Sequence, residues 1–257
     1  MKLARFVAQG TVSLGVVEEE RVEVIQGDPF GEFQETGTSY PLSEVRLLAP
    51  WIPGKMLAAA RNYHSHARWS GREVPAAPEM FYKVPSSVIG PGEAIVLPQG
   101  TEHVDEEGEL VVVMGKRARK VSPERALDYV FGYTCGNDVS ARDWQRNDRQ
   151  WWRAKSADTF SPLGPVIVTG LDPAKLELII RVNGEEHRRS TTDLLVFDVP
   201  TMISYISQVV TLEPGDMIFT GTPGAPRTLQ HGDVVEVEVP KIGVLRNPVV
   251  AEGMAGK

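Results

Sequence analysis

Short apolar runs broken by polar positions and turns dominate the chain, and long helical stripes are few. Residues 3–8, 12–17 and 22–25 read as strands separated by Gly-rich or charged turns, which predicts a small N-terminal β-rich domain over residues 1–50. Pro50-Trp51-Ile52-Pro53-Gly54 then punctuates the chain, and residues 56–60 form a further apolar strand candidate. Residues 64–79 hold Gly71, Pro75 and Pro78 but little apolar periodicity, so they are expected to form a mobile loop or lid over a site. Strands dominate again from Met80 onward. Strand 176–182 is expected to meet strand 185–191 through Asn183-Gly184, a hairpin turn signal, and strands 216–220 and 233–239 each follow a Gly-Asp turn. Three helices are expected. One starts at Ser122 as N-cap with Pro123 at the first helical position, one begins after Ser140, and one covers roughly 201–210 with Met202, Ile203, Ile206 and Val210 at helical spacing. Many short strands with few helices predict a β-rich α+β fold with a folded or barrel-like sheet, its main domain spanning 51–257.

Composition narrows the function classes. Of the 257 residues, 42% are hydrophobic and 24% charged, which describes an ordinary globular protein. A formal net charge of −7 argues against nucleic acid or an anionic membrane as partner, so any anionic substrate needs a local basic site. The single cysteine, Cys135, excludes an internal disulfide, and Met1-Lys2-Leu3-Ala4-Arg5 lacks a signal-like apolar run. No stretch approaches membrane-spanning length, and the expectation is a soluble cytoplasmic protein.

The candidate chemistry starts in the run 103–115, which drives carboxylates into a strand-like segment. Side chains two apart share a strand face, so Glu107 and Glu109 point the same way as Val111 and Val113. Two carboxylates on a half-buried face repel and are costly to desolvate, unless a cation joins them. The nearby donors are all oxygen, which points to magnesium or manganese, or calcium, over zinc. A solvated acidic loop is the alternative. Asp138, where strand 129–135 runs out, could complete a three-carboxylate face, with Asp143 as its rival in the first turn of the following helix. Downstream cations include Arg142, Arg153 and Lys155. A lysine beside a developing oxyanion adds positive charge there, and an arginine can grip a carboxylate with two hydrogen bonds. His64 and His66 lie close together without a third metal partner, so His66 is read as a general base. The turn 219–224 offers backbone N–H groups and the Thr222 hydroxyl to a substrate carboxylate.

These pieces fall into an ordered set: Arg61-Asn62-Tyr63 with His66, Phe81-Tyr82-Lys83, Glu107-x-Glu109-Leu110, residues 137–143, Lys155-Ser156-x-Asp158, Val182-Asn183-Gly184, residues 212–216 and Thr220-Gly221-Thr222-Pro223. The set resembles the fumarylacetoacetate hydrolase family over about residues 50–250. The resemblance implies a mixed β-roll catalytic domain following a small N-terminal β module, and a divalent metal, magnesium or manganese, on Glu107, Glu109 and Asp138. It further implies that Arg142, Gln145, Lys155 and Thr222 bind or polarise a 2-oxo or 1,3-dicarbonyl acid, that His66 is the lid histidine, and that the protein is a homodimer.

One position departs from the hydrolytic members, where a glutamate follows the lid histidine by three residues; here that place is Trp69, and the nearest later acid is Glu73. A histidine with nothing to fix its tautomer is a poorer base for making hydroxide. The expectation is therefore an isomerase or decarboxylase of a small 2-oxo or 2-hydroxydiene dicarboxylic acid. It would work through an enolate held on the cation, as in the 2-hydroxyhepta-2,4-diene-1,7-dioate isomerase and 5-carboxymethyl-2-oxo-hex-3-ene-1,7-dioate decarboxylase branch of aromatic catabolism. C–C bond hydrolysis of an acylpyruvate is the alternative, and a non-catalytic protein with a structural cation is a third.

Overall fold

The computed structural model describes residues 1–254. Its larger sheet runs in the order 33–41, 21–27, 11–18, 2–8, 161–168, 130–137, 108–114, 217–219, 56–60, 79–83. Neighbours on this path are antiparallel, except that Met217–Phe219 runs parallel to Met56–Ala60. A smaller sheet, in the order 185–191, 177–182, 234–239, 243–251, 95–97, packs against it. The architecture is the β-rich α+β arrangement expected.

Strand Gly108–Met114 is covered on both sides, which explains its unbroken apolar run. Leu110, Val112 and Met114 join Leu178, Ile180, Val237 and Leu245 between the sheets. Val111 and Val113 join Met217, Phe219, Leu163 and Ile167 on the other face. Burying each large aliphatic side chain stabilises the fold by about 1.5–3 kcal/mol. A one-residue slip would exchange the two sets and push Glu109 between the sheets, so the register that fills the core also aims this carboxylate. Gly108 is required here: a Cβ would lie 2.5 Å from Ile180 Cγ1 and 3.0 Å from Val237 Cγ2, where the smaller sheet crosses beneath.

The N-terminal strands pair Lys2 with Val168 and Leu3 with Ile167, so residues 2–41 extend the large sheet. Ala4, Phe6 and Val22 share the apolar cluster of Leu110. A fourth strand there, Phe33–Pro41, was not expected; it lies at the sheet's edge without a buried residue, so its sequence carries no alternation. The Asn183-Gly184 hairpin forms with both residues at positive φ, +58° and +79°, as a two-residue hairpin turn demands.

Several expectations need correction. The segment expected to be a loop opens as helix α1, His64–Trp69, with His66 and Ala67 buried; six residues are too few to display a helical period. The turn after Ser122 is a 3-10 helix, Pro123–Tyr129, and the Ser122 side chain makes no capping bond. Helices α2 (Arg142–Asn147) and α3 (Trp152–Ser156) are both short. Helix α4 spans Val199–Ser207, capped by the Asp198 side chain, which accepts from the Thr201 N–H, with Met202, Ile203 and Ile206 buried as expected. No helix among the described residues is long and apolar enough to cross a membrane.

Candidate active site

Pairing of strand Gly108–Met114 with Val130–Asn137 sets Glu109 opposite Gly136 and Gly108 opposite Asn137. One residue further, the Asp138 N–H donates to the Glu107 carbonyl at 2.8 Å, and the Glu107 N–H donates to Asn137 Oδ1 at 2.8 Å. This clasp brings Glu107, Glu109 and Asp138 together: one carboxylate oxygen of each lies within 4.8 Å of the others, and all three residues are buried. Asp143 takes no part. It accepts from the backbone N–H groups of Glu102 at 2.9 Å and His103 at 3.1 Å, and these bonds hold its carboxyl down at about 2.

Buried cations bind the cluster from two sides. Lys155 Nζ donates to Glu107 Oε2 at 2.5 Å and to Asp138 Oδ2 at 2.7 Å. Lys83 Nζ donates to Asp138 Oδ1 at 2.6 Å, to the Phe160 carbonyl at 3.1 Å, and to the Lys155 carbonyl. Arg142 donates through Nε to Asp105 Oδ2 at 2.8 Å, through Nη2 to Glu107 Oε1 at 2.5 Å and through Nη1 to Gln145 Oε1 at 2.9 Å. Burial alone would raise Glu107, but Arg142 and Lys155 hold it well below the usual carboxylate range. Burial would likewise lower Lys155, but Asp138 and Glu107 outweigh it and raise the ammonium.

Four carboxylates, counting Asp105, thus face three cations, and Glu109 carries the surplus. It is 1% exposed, makes no ion pair among the described residues, and accepts one hydrogen bond, from the Gly221 N–H at 2.6 Å. Burial, with Asp138 and Glu107 beside it, pushes its carboxyl well above the ordinary range. Beside it the buried Thr222 hydroxyl lacks a hydrogen-bond partner. An all-oxygen set in which one buried carboxyl has no cationic partner, beside a free hydroxyl, fits a metal ion.

The turn 220–224 is occupied differently from expectation. Two of its glycine N–H groups serve the protein, that of Gly221 holding Glu109 and that of Gly224 donating to Ser65 Oγ at 3.0 Å. The Thr222 hydroxyl and the Thr222 N–H, neither of which has a partner among the described residues, are left for a substrate. Gly221 has φ +104°, and a Cβ there would lie 2.9 Å from the Asn62 Cβ.

His66 shares the cavity. Its Nδ1 lies 2.9 Å from the Gly224 carbonyl, which can only accept, so Nδ1 carries the proton and Nε2 presents its lone pair 3.5 Å from Glu107 Oε1. Burial lowers the imidazole pKa despite the nearby Glu107, favouring the neutral ring. The expectation that nothing fixes this tautomer is therefore wrong; a backbone carbonyl does so, and no sequence pattern reveals it. Trp69 stacks on His66, centroids 5.2 Å apart at 32°, and the Arg142 guanidinium lies 5.4 Å from its ring. Glu73 is exposed and makes no hydrogen bond or ion pair with His66 among the described residues.

The cavity is about 440 Å3, with Phe81 and Trp151 among its walls, and His66, Glu107, Glu109, Arg142, Gln145, Lys155 and Thr222 all face it. Arg153 does not: it pairs with Asp148 and lies over Trp144. His64 is exposed. Lys83, Asp105 and Ser140, which donates to Glu107 Oε2 at 3.2 Å, were given no role from the sequence, although Lys83 and Ser140 lie within the motifs that carry the resemblance. Lys83 had a signal, since it shares a strand face with the core residue Phe81.

Residues 55–250 match the family described as fumarylacetoacetate (FAA) hydrolase C-terminal, and residues 1–50 match the Rv2993c-like, N-terminal family. The chain belongs to the fumarylacetoacetate hydrolase family. It is similar to 5-carboxymethyl-2-hydroxymuconate delta-isomerase from Mycobacterium smegmatis (43% identity, TM-score 0.92, covering 98% of this chain and 100% of that one). It is equally similar to 2-hydroxyhepta-2,4-diene-1,7-dioate isomerase from Mycobacterium marinum (42% identity, TM-score 0.92, covering 98% and 99%). Oxaloacetate tautomerase FAHD2A of Bos taurus is 44% identical over 223 residues, 82% of this chain and 71% of that protein. Members of the family are enzymes, isomerases, tautomerases and hydrolases among them.

Proposed function

We propose that the protein is a divalent-metal-dependent isomerase or decarboxylase of a small 2-oxo or 2-hydroxydiene dicarboxylic acid. The observation that carries this reading is Glu109, a buried carboxyl without a cation, beside the two carboxylates that Lys155 binds. Glu107, Glu109 and Asp138 would hold magnesium or manganese, the hard ions suited to an all-oxygen set, with calcium as the weaker choice. When bound, such an ion supplies Lewis acidity that draws negative charge onto the oxo and carboxylate oxygens of the substrate and favours its enol form.

The remaining chemistry belongs to side chains. In an isomerisation of the 2-hydroxy-2,4-diene type, the enol hydroxyl loses its proton and becomes the C2 oxo group, the C2=C3 and C4=C5 bonds give way to C2=O and a single C3=C4 bond, and a proton is added at C5. His66 accepts and returns the proton at Nε2, while the Gly224 carbonyl keeps Nδ1 protonated. The Lys155 ammonium adds positive charge where the oxyanion develops. Gln145, Thr222 and the cavity-facing edge of Arg142 hold the substrate carboxylate, and Arg142 also keeps Glu107 ionised and oriented. Lys83 secures Asp138 and the backbone of Lys155. Trp69, stacked on His66, covers the place from which water would attack.

C–C bond hydrolysis of an acylpyruvate is the second reading, favoured by one observation: the Gly224 carbonyl gives His66 the fixed tautomer that a hydrolytic base needs. Product analysis on a 2-oxo-3-ene dioate and an acylpyruvate in parallel separates the two. Ketonised or decarboxylated products with an uncleaved acylpyruvate support the first reading, and cleavage of the acylpyruvate supports the second.

A further inference from the structure

The cavity carries more positive charge than the chemistry above uses. Besides Arg142 and Lys155, which are bound to the acid cluster, it is bounded by Arg61, Arg72 and Arg146, none of which makes an ion pair with that cluster among the described residues. Three further arginines on one cavity are conspicuous in a chain of net charge −7. Arg146 pairs with Asp143 and Arg61 with Glu79, whereas Arg72 makes no ion pair among the described residues. Arg61 directs both Nε and Nη2 at the same oxygen, Glu79 Oε2, so Nη1 has no partner among the described residues. Its backbone sits at φ +53°, a region where a long side chain is strained and where glycine or asparagine is the easier choice. Strain of this kind, kept at a cavity wall, points to function.

We propose that Arg61 and Arg72 form a second anion subsite, which takes the distal carboxylate of a 2-oxo dioate whose carbon chain lies against Trp69, Phe81 and Trp151. The inference rests on the 2-oxo acid reading of the acid cluster and deepens it. The head of the substrate is recognised by the cation that the acid cluster would hold, with Gln145, Thr222 and Arg142, and its tail by guanidinium groups, which form paired hydrogen bonds with a carboxylate. Because Arg72 is exposed and the subsite partly hydrated, the gain over a monoacid is on the order of tenfold, about 1.4 kcal/mol.

The test is titration calorimetry of the full-length protein with magnesium. It compares 2-oxoglutarate and 2-oxoadipate with 2-oxobutanoate, which has the same head and lacks the distal carboxylate. At least one dioate should bind roughly tenfold more tightly than the monoacid. Arg72→Gln and Arg61→Gln should each remove most of that preference while shifting 2-oxobutanoate less than about twofold, and Arg153→Gln, a surface change off the cavity, should alter neither. Arg72→Lys should recover part of the preference. Equal affinity for dioates and monoacid, or parallel losses for both in the variants, overturns the subsite. Arg72-dependent dioate binding without turnover supports the subsite and counts against the proposed reaction alone. Turnover of 2-oxo acids with no dependence on Arg61 or Arg72 overturns the subsite and leaves the reaction standing.

Discussion

Replacing Glu109 by glutamine tests the electrostatics of the site most sharply, because the metal-free and metal-loaded proteins should respond in opposite directions. The amide keeps an oxygen to accept from the Gly221 N–H and has nearly the volume of the carboxylate, so packing is preserved. What changes is charge. A carboxyl raised above its ordinary value of 4.5 on folding binds its proton more tightly in the native state. It therefore weakens folding progressively as pH rises above that value, by about 1.4 kcal/mol per pH unit until the native group ionises. At pH 7 the penalty is at most about 3 kcal/mol, and the variant escapes it. For a chain of this size each kcal/mol moves Tm by about 2–4 °C, so the metal-free variant should melt up to roughly 6–12 °C higher at pH 7. The advantage should shrink toward zero near pH 4.5. Magnesium at a hundredfold excess over Kd should stabilise the unaltered protein by about 2.7 kcal/mol, roughly 5–10 °C, and most of that increment should vanish in Glu109→Gln. Thermal melts with EDTA or magnesium at several pH values provide the readout. A metal-free variant that melts below the parent, or an undiminished magnesium increment, would refute the reasoning.

Three further outcomes are expected. Lys155→Met should lower kcat by about a hundredfold or more with little change in KM, and a raised KM at preserved kcat would show that the lysine binds substrate instead. Trp69→Glu places an acid three residues after His66 and removes the ring stacked on it, so cleavage of an acylpyruvate should appear while Glu73→Gln changes nothing; efficient cleavage by the unmodified enzyme, lost in Glu73→Gln, would promote the hydrolytic reading. Gly221→Ala forces a Cβ against Asn62 at positive φ, and should cost about 1–3 kcal/mol in urea unfolding and weaken metal binding by shifting the N–H that holds Glu109; unchanged stability would contradict the close approach described.

How much was legible in the sequence follows from the range of each interaction. Strand 108–114 and the pair Glu107, Glu109 were readable because an unbroken apolar run marks a strand buried on both faces and residues two apart along it share a face, although the strand itself starts one residue after Glu107. Asp138 was readable as the acid at a strand end, yet only the clasp between Asn137 and Glu107 sets it beside the pair. Lys83 needed knowledge that its strand ends under Asp138, 55 residues away in sequence. The carbonyl of Gly224 that orders His66 lies 158 residues from it and has no side chain to betray it. Gly221 was noticed as part of a turn, but its N–H proved to serve Glu109 and not a ligand. Edge strand 33–41 and helix α1 escaped because one has no buried face and the other fewer than two turns.

The central claim is that His66 and Lys155, beside a cation that Glu107, Glu109 and Asp138 would hold, move a proton through an enolate without breaking the carbon skeleton by hydrolysis. Proton NMR of a 2-oxo dioate in deuterium oxide tests it most directly, by following deuterium entry at the carbon next to the oxo group with the metal-stripped and magnesium-loaded enzyme. The account predicts enzyme-catalysed exchange that requires magnesium, falls steeply in Lys155→Met and His66→Ala, and yields no hydrolytic fragments. Exchange no faster than in buffer, together with cleavage of an acylpyruvate by the same preparation, would contradict it.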